Sequence, residues 1–219
     1  IRSKFLFVLI LFYNICFLDA RSRISFSRPG DMIRIPSVDH FALRKLLTIN
    51  LSYEFLSSEQ GNSNLSIHTL SKSGYQYGMS FLRPANTADS FELGFHFQTN
   101  VLVYGNVNID FGVHDIVLKQ GDYSTNGLDT RDISLFAILS SAKNIADYSI
   151  STHLGLGTGK IVQDSQLNEA DTEQKLGAFL GFQFKTPLLK KDGGVTLLTE
   201  YDGMGLNIGL SIPILNLYQ

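Results

Sequence analysis

Cysteine occurs once in this chain, at Cys16, and tryptophan does not occur at all. A lone thiol inside the most apolar stretch excludes a disulfide framework and a cysteine metal site. Without Trp, any belt of amphipathic aromatics has to be built from the nine Tyr and 16 Phe. Charge of either sign is also scarce: 18 Lys and Arg stand against 20 Asp and Glu in 219 residues. That balance creates no field to gather nucleic acid or acidic substrates, so no nucleic-acid partner is expected, and no motif calls for a cofactor. The basic residues are unevenly placed, with Arg2, Lys4, Arg21, Arg23, Arg28, Arg34, Arg44 and Lys45 all in the first fifth of the chain, which leaves the body slightly acidic. The length suits one domain with a full core.

The one long apolar run lies at the start. Arg2 and Lys4 precede an apolar stretch from Phe5 to Leu18, interrupted by Tyr13 and Asn14, and Asp19-Ala20 then leads into Arg21-Ser22-Arg23. This is the layout of a secretory signal peptide, expected over 1–20 with cleavage after Ala20, although Leu18 fits the small-residue rule poorly. The rival reading is an uncleaved anchor, but the run falls short of the roughly 20 residues a spanning helix needs. Asn14-Ile15 before Cys16 do not suit a lipoprotein. A chain that starts with Ile rather than Met is also what an incomplete reading frame would give. Residues 21–45 contain Pro29-Gly30 and Pro36 and keep no period. They are expected to be an extended periplasmic lead-in, with a plug or docking segment as the alternative.

From Leu46 onward the dominant period is two, that of a strand with one apolar and one polar face. Leu47, Ile49, Leu51, Tyr53 and Phe55 alternate with Thr48, Asn50, Ser52 and Glu54. Comparable segments include Tyr75 to Phe81, Phe91 to Gln98, Val107 to Val113, Tyr148 to Leu156, Leu176 to Lys185, Val195 to Tyr201 and Met204 to Ile212. Weaker ones lie around Leu65 to Ser71 and Ile133 to Ser140. About ten antiparallel strands are expected over 46–219, arranged as an all-β, up-and-down transmembrane β-barrel. A soluble sandwich or lipocalin-like barrel would use the same alternation with the apolar face inside. The polar face favours the membrane form, because it carries mostly Gly, Ser, Asn and Gln with a few His and acids, which suits a narrow lumen better than a solvated surface.

Connection lengths give a second test, since outer-membrane barrels have short periplasmic turns and long outer loops. With the strand from Leu47 running outward, the outer connections fall at 57–64, 83–90, 119–131, 159–173 and 202–203, and the inner ones at 72–74, 104–106, 141–147 and 186–194. Only 202–203 is out of line with that trend.

Four patterns invite a chemical reading. Gly155-Leu156-Gly157-Thr158-Gly159-Lys160 resembles a nucleotide loop, but Leu154 and Ile161 occupy positions that need Gly and Ser or Thr. A glycine-rich strand end is the simpler explanation. Asp122, Ser124, Asn126 and Gly127 start a calcium-loop pattern that lacks its closing Glu, since Ile133 stands there. His68, His96, His114 and His153 are expected to point into one lumen. Ser151 with His153, or His114 with Asp115, could begin a hydrolase site, but no third orienting group is indicated and Ser151 and His153 would lie about 7 Å apart on one face. Glu54, Glu92, Asp110, Glu200 and Asp202 against Lys175 and Lys185 suggest an internal polar network. The candidate lumen residues are therefore Glu54, His96, Asp110, His153, Glu200 and Asn207, with no catalytic or metal-binding set.

Thr199-Glu200-Tyr201-Asp202-Gly203, followed by Gly205-Leu206-Asn207-Ile208-Gly209-Leu210, resembles a hairpin of YjbH-like outer-membrane proteins associated with exopolysaccharide export. The turn Glu200, Tyr201, Asp202, Gly203 followed by Asn207-x-Gly209 is its most specific part. Arg28-Pro29-Gly30 through Ile35-Pro36-Ser37 is loosely similar to the start of such barrels. The resemblance covers about a tenth of the chain, and those proteins are much longer. Pro213 and the final Gln219 depart from the usual barrel-insertion ending. The resemblance implies a bacterial outer-membrane location and an envelope or polysaccharide-related role, with no catalytic residue to carry over. The function expected is non-enzymatic: a structural, polysaccharide-export-related or narrow-passage role. Expected partners are outer-membrane lipid and lipopolysaccharide, envelope polysaccharide, and the barrel-assembly machinery during insertion. The alternatives are an outer-membrane enzyme that modifies lipid or lipopolysaccharide, and a secreted soluble binding barrel.

Overall fold

A computed structural model describes residues 32–37, 47–54, 62–71, 74–83, 90–121, 127–128, 133–161, 176–190, 194–203 and 205–212. The expected signal peptide over 1–20, Lys175 and the chain's last residues lie outside the described residues. No described helix is long and apolar enough to cross a membrane.

The alternating segments become one antiparallel sheet. Its strands are β1 (Leu47–Glu54), β2 (Asn62–Leu70), β3 (Tyr75–Arg83), β4 (Phe91–Tyr104), β5 (Val107–Gln120), β6 (Gly127–Leu128), β7 (Ser134–Ile145), β8 (Tyr148–Gly157), β9 (Gly177–Lys185), β10 (Thr196–Tyr201) and β11 (Leu206–Ser211). Their order is β1-β2-β3-β4-β5-β7-β8-β9-β10-β11, with the short β6 added to β5. Every neighbour in this path follows in sequence, so the architecture is an up-and-down meander of about ten strands. β1 and β11 are its edges, and among the described residues no pairing joins them.

Two connections differ from the sequence expectation. β7 continues to Ile145 and pairs Ile145 with Tyr148, so the inner connection placed at 141–147 shrinks to Ala146-Asp147. Ser141, Ala142, Lys143 and Asn144 show no apolar alternation, yet their backbone completes the ladder with β8. The outer connection placed at 119–131 contains β6, which pairs Gly127 with Lys119. The β4–β5 turn, at the same end as Ala146-Asp147, uses Gly105, whose φ of 58° lies in the left-handed region a tight hairpin needs, while the short β10–β11 turn lies at the opposite end.

β5 reverses its faces in mid-strand. Asn108, Asp110 and His114 are buried on one parity, whereas Asp115 and Val117 are buried on the other. The register explains this: Phe97 pairs with Val113 and Phe95 with Ile116, so His96 alone faces both His114 and Asp115. This is a β-bulge, and Asp115 takes the left-handed conformation, φ 58°, that turns both side chains inward.

The two faces of the sheet are opposite in character. Leu51 is 82% exposed, Leu154 55% and Leu180 53%, and every strand of the meander presents large apolar side chains outward. The other face buries Asn64, Ser66, His68, Ser80, His96, Gln98, Asp110, His153 and Glu200. It is not uniformly polar. Phe136, Ile138, Phe179 and Leu198 also point inward and join Met32, Ile33, Ile35 and Ile161 in an apolar cluster. Small neighbours make room for them. A β-carbon at Gly155 would collide with the Phe179 ring, and one at Gly112 with the Phe136 ring. The glycine run at 155–159 therefore serves as a seat for Phe179 and ends in a 3-10 turn at Gly159–Ile161.

Residues 32–37 lie against the buried face. They touch Gln98 on β4, Gly181 on β9, Glu200 on β10 and Gly209 on β11. A flat sheet would hold β4 and β10 about 24 Å apart, farther than the roughly 14 Å that residues 33–37 can span. The sheet therefore bends around this segment.

Candidate functional site

The site is the buried face itself, and its best-defined part surrounds Glu200. Met32 N–H donates to Ile35 O at 3.0 Å, which folds 32–35 into a turn. The turn aims three successive N–H groups at one carboxylate. Ile33 donates to Glu200 Oε2 at 3.1 Å, Arg34 to Oε1 at 2.8 Å and Ile35 to Oε2 at 3.3 Å. Such a concavity of backbone donors is an anion nest, here filled by a side chain of the same molecule. Asn207 Nδ2 bridges Glu200 Oε1 at 3.1 Å and Asp202 Oδ2 at 3.2 Å. Arg34 approaches Asp202 Oδ2 at 4.0 Å.

The turn between β10 and β11 holds this arrangement in place. Asp202 Oδ1 accepts the N–H of Gly205 at 2.9 Å, and Tyr201 OH donates to Gly203 O at 3.1 Å. Gly203 has φ 87°, which its lack of a β-carbon permits. Tyr201 faces outward, whereas Glu200 and Asp202 are buried. Shape complements charge: Met32 Sδ and Ile35 Cδ1 fill the space above Gly181, and Ile33 Cδ1 that above Gly209. Farther along the segment, Gln98 Nε2 donates to Ser37 O at 3.1 Å and to Asp110 Oδ2 at 3.1 Å. Asn100 Nδ2 donates to Asp110 Oδ1 at 2.6 Å.

A second cluster contains Ser, His and Asp. Ser80 Oγ lies 2.8 Å from His96 Nε2, and His96 Nδ1 lies 4.0 Å from Asp115 Oδ1. The resemblance to a hydrolytic triad ends at the tautomer. His96 Nδ1 accepts the Asp115 N–H at 3.2 Å, so the neutral ring carries its proton on Nε2 and donates it to Ser80. A base that activates a serine needs the opposite arrangement. The Asp115 carboxylate instead accepts from Ser134 Oγ at 2.7 Å, and Ser134 Oγ in turn accepts the Ile161 N–H at 3.2 Å. The cluster braces the β5 bulge. His114 lies edge-on between His96 and Phe136, with ring centroids 5.4 Å and 4.6 Å away.

The sequence candidates are thus distributed as follows. His96, Asp110, His153 and Glu200 are buried on the inner face together with His68 and His114, and Asn207 is half-buried beside Glu200. Glu54 pairs in register with Asn62, and its side chain lies outside the described part. His153 Nδ1 bonds Ser140 Oγ on the neighbouring strand at 2.7 Å, so cross-strand register selects Ser140 where sequence spacing suggested Ser151. The acids Asp110, Glu200 and Asp202 meet side-chain amides, backbone N–H groups and Arg34. For residues 32–37 the sequence favours an extended lead-in, with a plug or docking segment as the alternative; the short Ile33-x-Ile35 pattern and Pro36 are the signals for contact with the inner face. Asp122, Ser124 and Asn126 of the calcium-like loop lie outside the described residues. Among the described residues no cluster of three or more His, Cys, Asp or Glu could hold a metal ion.

At the short-turn end, Lys190 Nζ donates to Asp147 Oδ1 at 2.6 Å and holds that exposed carboxyl below its ordinary pKa. Compared with known proteins, the chain matches no family model, no curated protein and no solved structure, so its functional reading rests on this geometry.

Proposed function

We propose that this chain is a bacterial outer-membrane β-barrel, closed by pairing β11 with β1, that serves the envelope without catalysing a reaction. The observation that carries the reading is the inversion of the two faces. Large apolar side chains cover the outward face of every strand of the meander, while His, Asp, Glu, Gln and Ser are buried on the other. Monomeric soluble proteins rarely expose contiguous apolar patches beyond a few hundred Å², whereas a lipid-facing band requires them. Aromatic pairs near the strand ends add to this. Tyr75 stacks with Phe97 at 6.0 Å and Tyr148 with Phe184 at 5.5 Å toward the short turns, and Phe81 with Phe91 at 5.5 Å toward the long connections. They extend the outward aromatic surface, with Tyr and Phe in place of Trp, over about 20 Å of β4 from Phe91 to Phe97.

The interior supports a narrow or filled lumen. About ten strands leave little space, and residues 32–37 with Phe136 and Phe179 occupy part of it. Within the envelope we assign a structural or polysaccharide-export-related role, with lipid and lipopolysaccharide around the barrel, envelope polysaccharide as its cargo or docking partner, and the assembly machinery at insertion. Delivery would use cleavage of the signal peptide expected over 1–20.

The test is gel mobility of the chain refolded into detergent, before and after boiling. A heat-dependent shift with strong β circular dichroism is expected. Full solubility in plain buffer with no shift would replace this reading by a soluble ligand-binding barrel.

A further inference from the structure

The sheet bends around a piece of its own chain, and that piece is held by a device built for the purpose. Residues 32–37 belong to none of the strands; they meet the wall through the Glu200 carboxylate, the Gln98 amide and two glycine seats. Any buried segment needs acceptors for its N–H groups; this one has three of them satisfied by a single side chain. Here a buried carboxylate spends both oxygens on three successive N–H groups, and Asn207 and Asp202 hold the same end. We propose that 32–37 is an intramolecular plug, latched by Glu200, that shuts an ion-permeable passage through the barrel. This rests on the outer-membrane reading and adds its regulation.

The wall uncovered by plug withdrawal fixes the permeant class. Gln98 on β4 would lose Ser37 as a partner and, with Asp110 bonded to it from β5, face the opening. Arg34, the cation beside Asp202, would leave with the plug, while Glu92, Asp110, Glu200 and Asp202 stay on the wall, Glu92 opposite Lys119 in register and Lys185 on the same face near the short turns. At the vacated latch, Glu200 and Asp202 without Arg34 outnumber the remaining cations and favour small hydrated cations over anions.

The geometry also supplies a lock. A β-carbon placed on Gly209 would lie 3.2 Å from Ile33 Cγ1. That is close to the distance from one sulfur to the far β-carbon of a disulfide, about 3 Å by the bond lengths involved. Ile33→Cys with Gly209→Cys should therefore tether plug to wall, in a Cys16→Ser background that removes the native thiol.

The experiment records single-channel currents in KCl across planar bilayers from the full chain, each variant first checked for the heat-dependent gel shift. The unaltered chain should be silent or open rarely. Glu200→Ala should raise open probability at least about tenfold, with cation selectivity. Arg34→Glu, which sets like charge beside Asp202, should do the same and serves as a second variant if Glu200→Ala fails to fold. Adding the Ile33→Cys and Gly209→Cys pair should silence the open variant when oxidised and restore current on reduction. Folded, heat-modifiable latch variants that remain silent would overturn the plug while leaving the barrel standing, as would an oxidised tether that conducts as freely as the reduced one. An unaltered chain that shows no heat shift and does not insert would remove the barrel reading itself.

Discussion

Single side chains carry the interior. Glu200→Ala leaves three buried N–H groups of 33–35 without their acceptor, and each buried donor left unpaired costs about 1–3 kcal/mol. A loss of about 3–5 kcal/mol is expected for the folded chain, read as a shift in denaturant midpoint of the refolded protein. Outward-facing Tyr201→Ala in the same turn should cost less than about 1.5 kcal/mol, because it gives up an exposed hydrogen bond to Gly203 O. Gly155→Val pushes two methyl groups into the Phe179 ring and should cost at least about 3 kcal/mol, partly recovered when combined with Phe179→Ala. Part of this scale was legible in the sequence: Glu200, Asp202 and Asn207 stand out in a turn motif, and the glycine run at 155–159 reads as room left in the interior, though not as the seat of Phe179. What the residues could not reveal was the partner of Glu200, which lies 165 to 167 positions away on the chain.

At the scale of elements, the alternation from Phe91 to Gln98 and from Tyr148 to Leu156 could be read directly, because period two assigns one face to apolar and the other to polar side chains. It failed where both faces are apolar. Phe136 and Ile138 point inward, and nothing in their own sequence segment separates them from the outward Leu135 and Leu139, whereas parity did set Phe179 opposite Leu180. It failed again in β5, where the reversal depends on a left-handed residue that is Asp115 rather than the glycine that would have announced it. This gives a test of the bulge. Asp115→Asn keeps a residue that tolerates left-handed backbone and should cost about 1 kcal/mol or less. Asp115→Val, β-branched and unable to accept from Ser134, should cost about 3 kcal/mol or more, measured by denaturant unfolding in detergent.

For the whole molecule, the outward face decides between lipid and water. Leu154 stands in mid-strand on β8, exposed and remote from both ends. In a bilayer, Leu154→Lys should destabilise by about 2–4 kcal/mol, whereas on a solvated surface it should stay within about 0.5 kcal/mol. Leu154→Lys unfolded from lipid vesicles, with Lys143→Ala near the short turns as the interfacial control, separates these outcomes. The strand order and most of the face assignments followed from alternation and turn residues. The curvature did not, because it is set by contacts between strands distant in sequence and by the segment they enclose.

Closure of the sheet is the point on which the envelope role, the lipid-facing band and the plug all depend, and β1 and β11 are the two strands whose pairing would achieve it. Leu51 on β1 and Ile208 and Leu210 on β11 share the outward face. Leu51→Cys combined in turn with Ile208→Cys, Leu210→Cys and Ile212→Cys, in a Cys16→Ser chain folded into detergent or vesicles, tests that pairing by oxidation and gel mobility. One pair, or two adjacent ones, should cross-link efficiently within a monomer and keep the heat-dependent shift. Absence of an intramolecular cross-link from every pair, with the chain fully folded, would show that the two edges stay apart and would contradict a closed barrel.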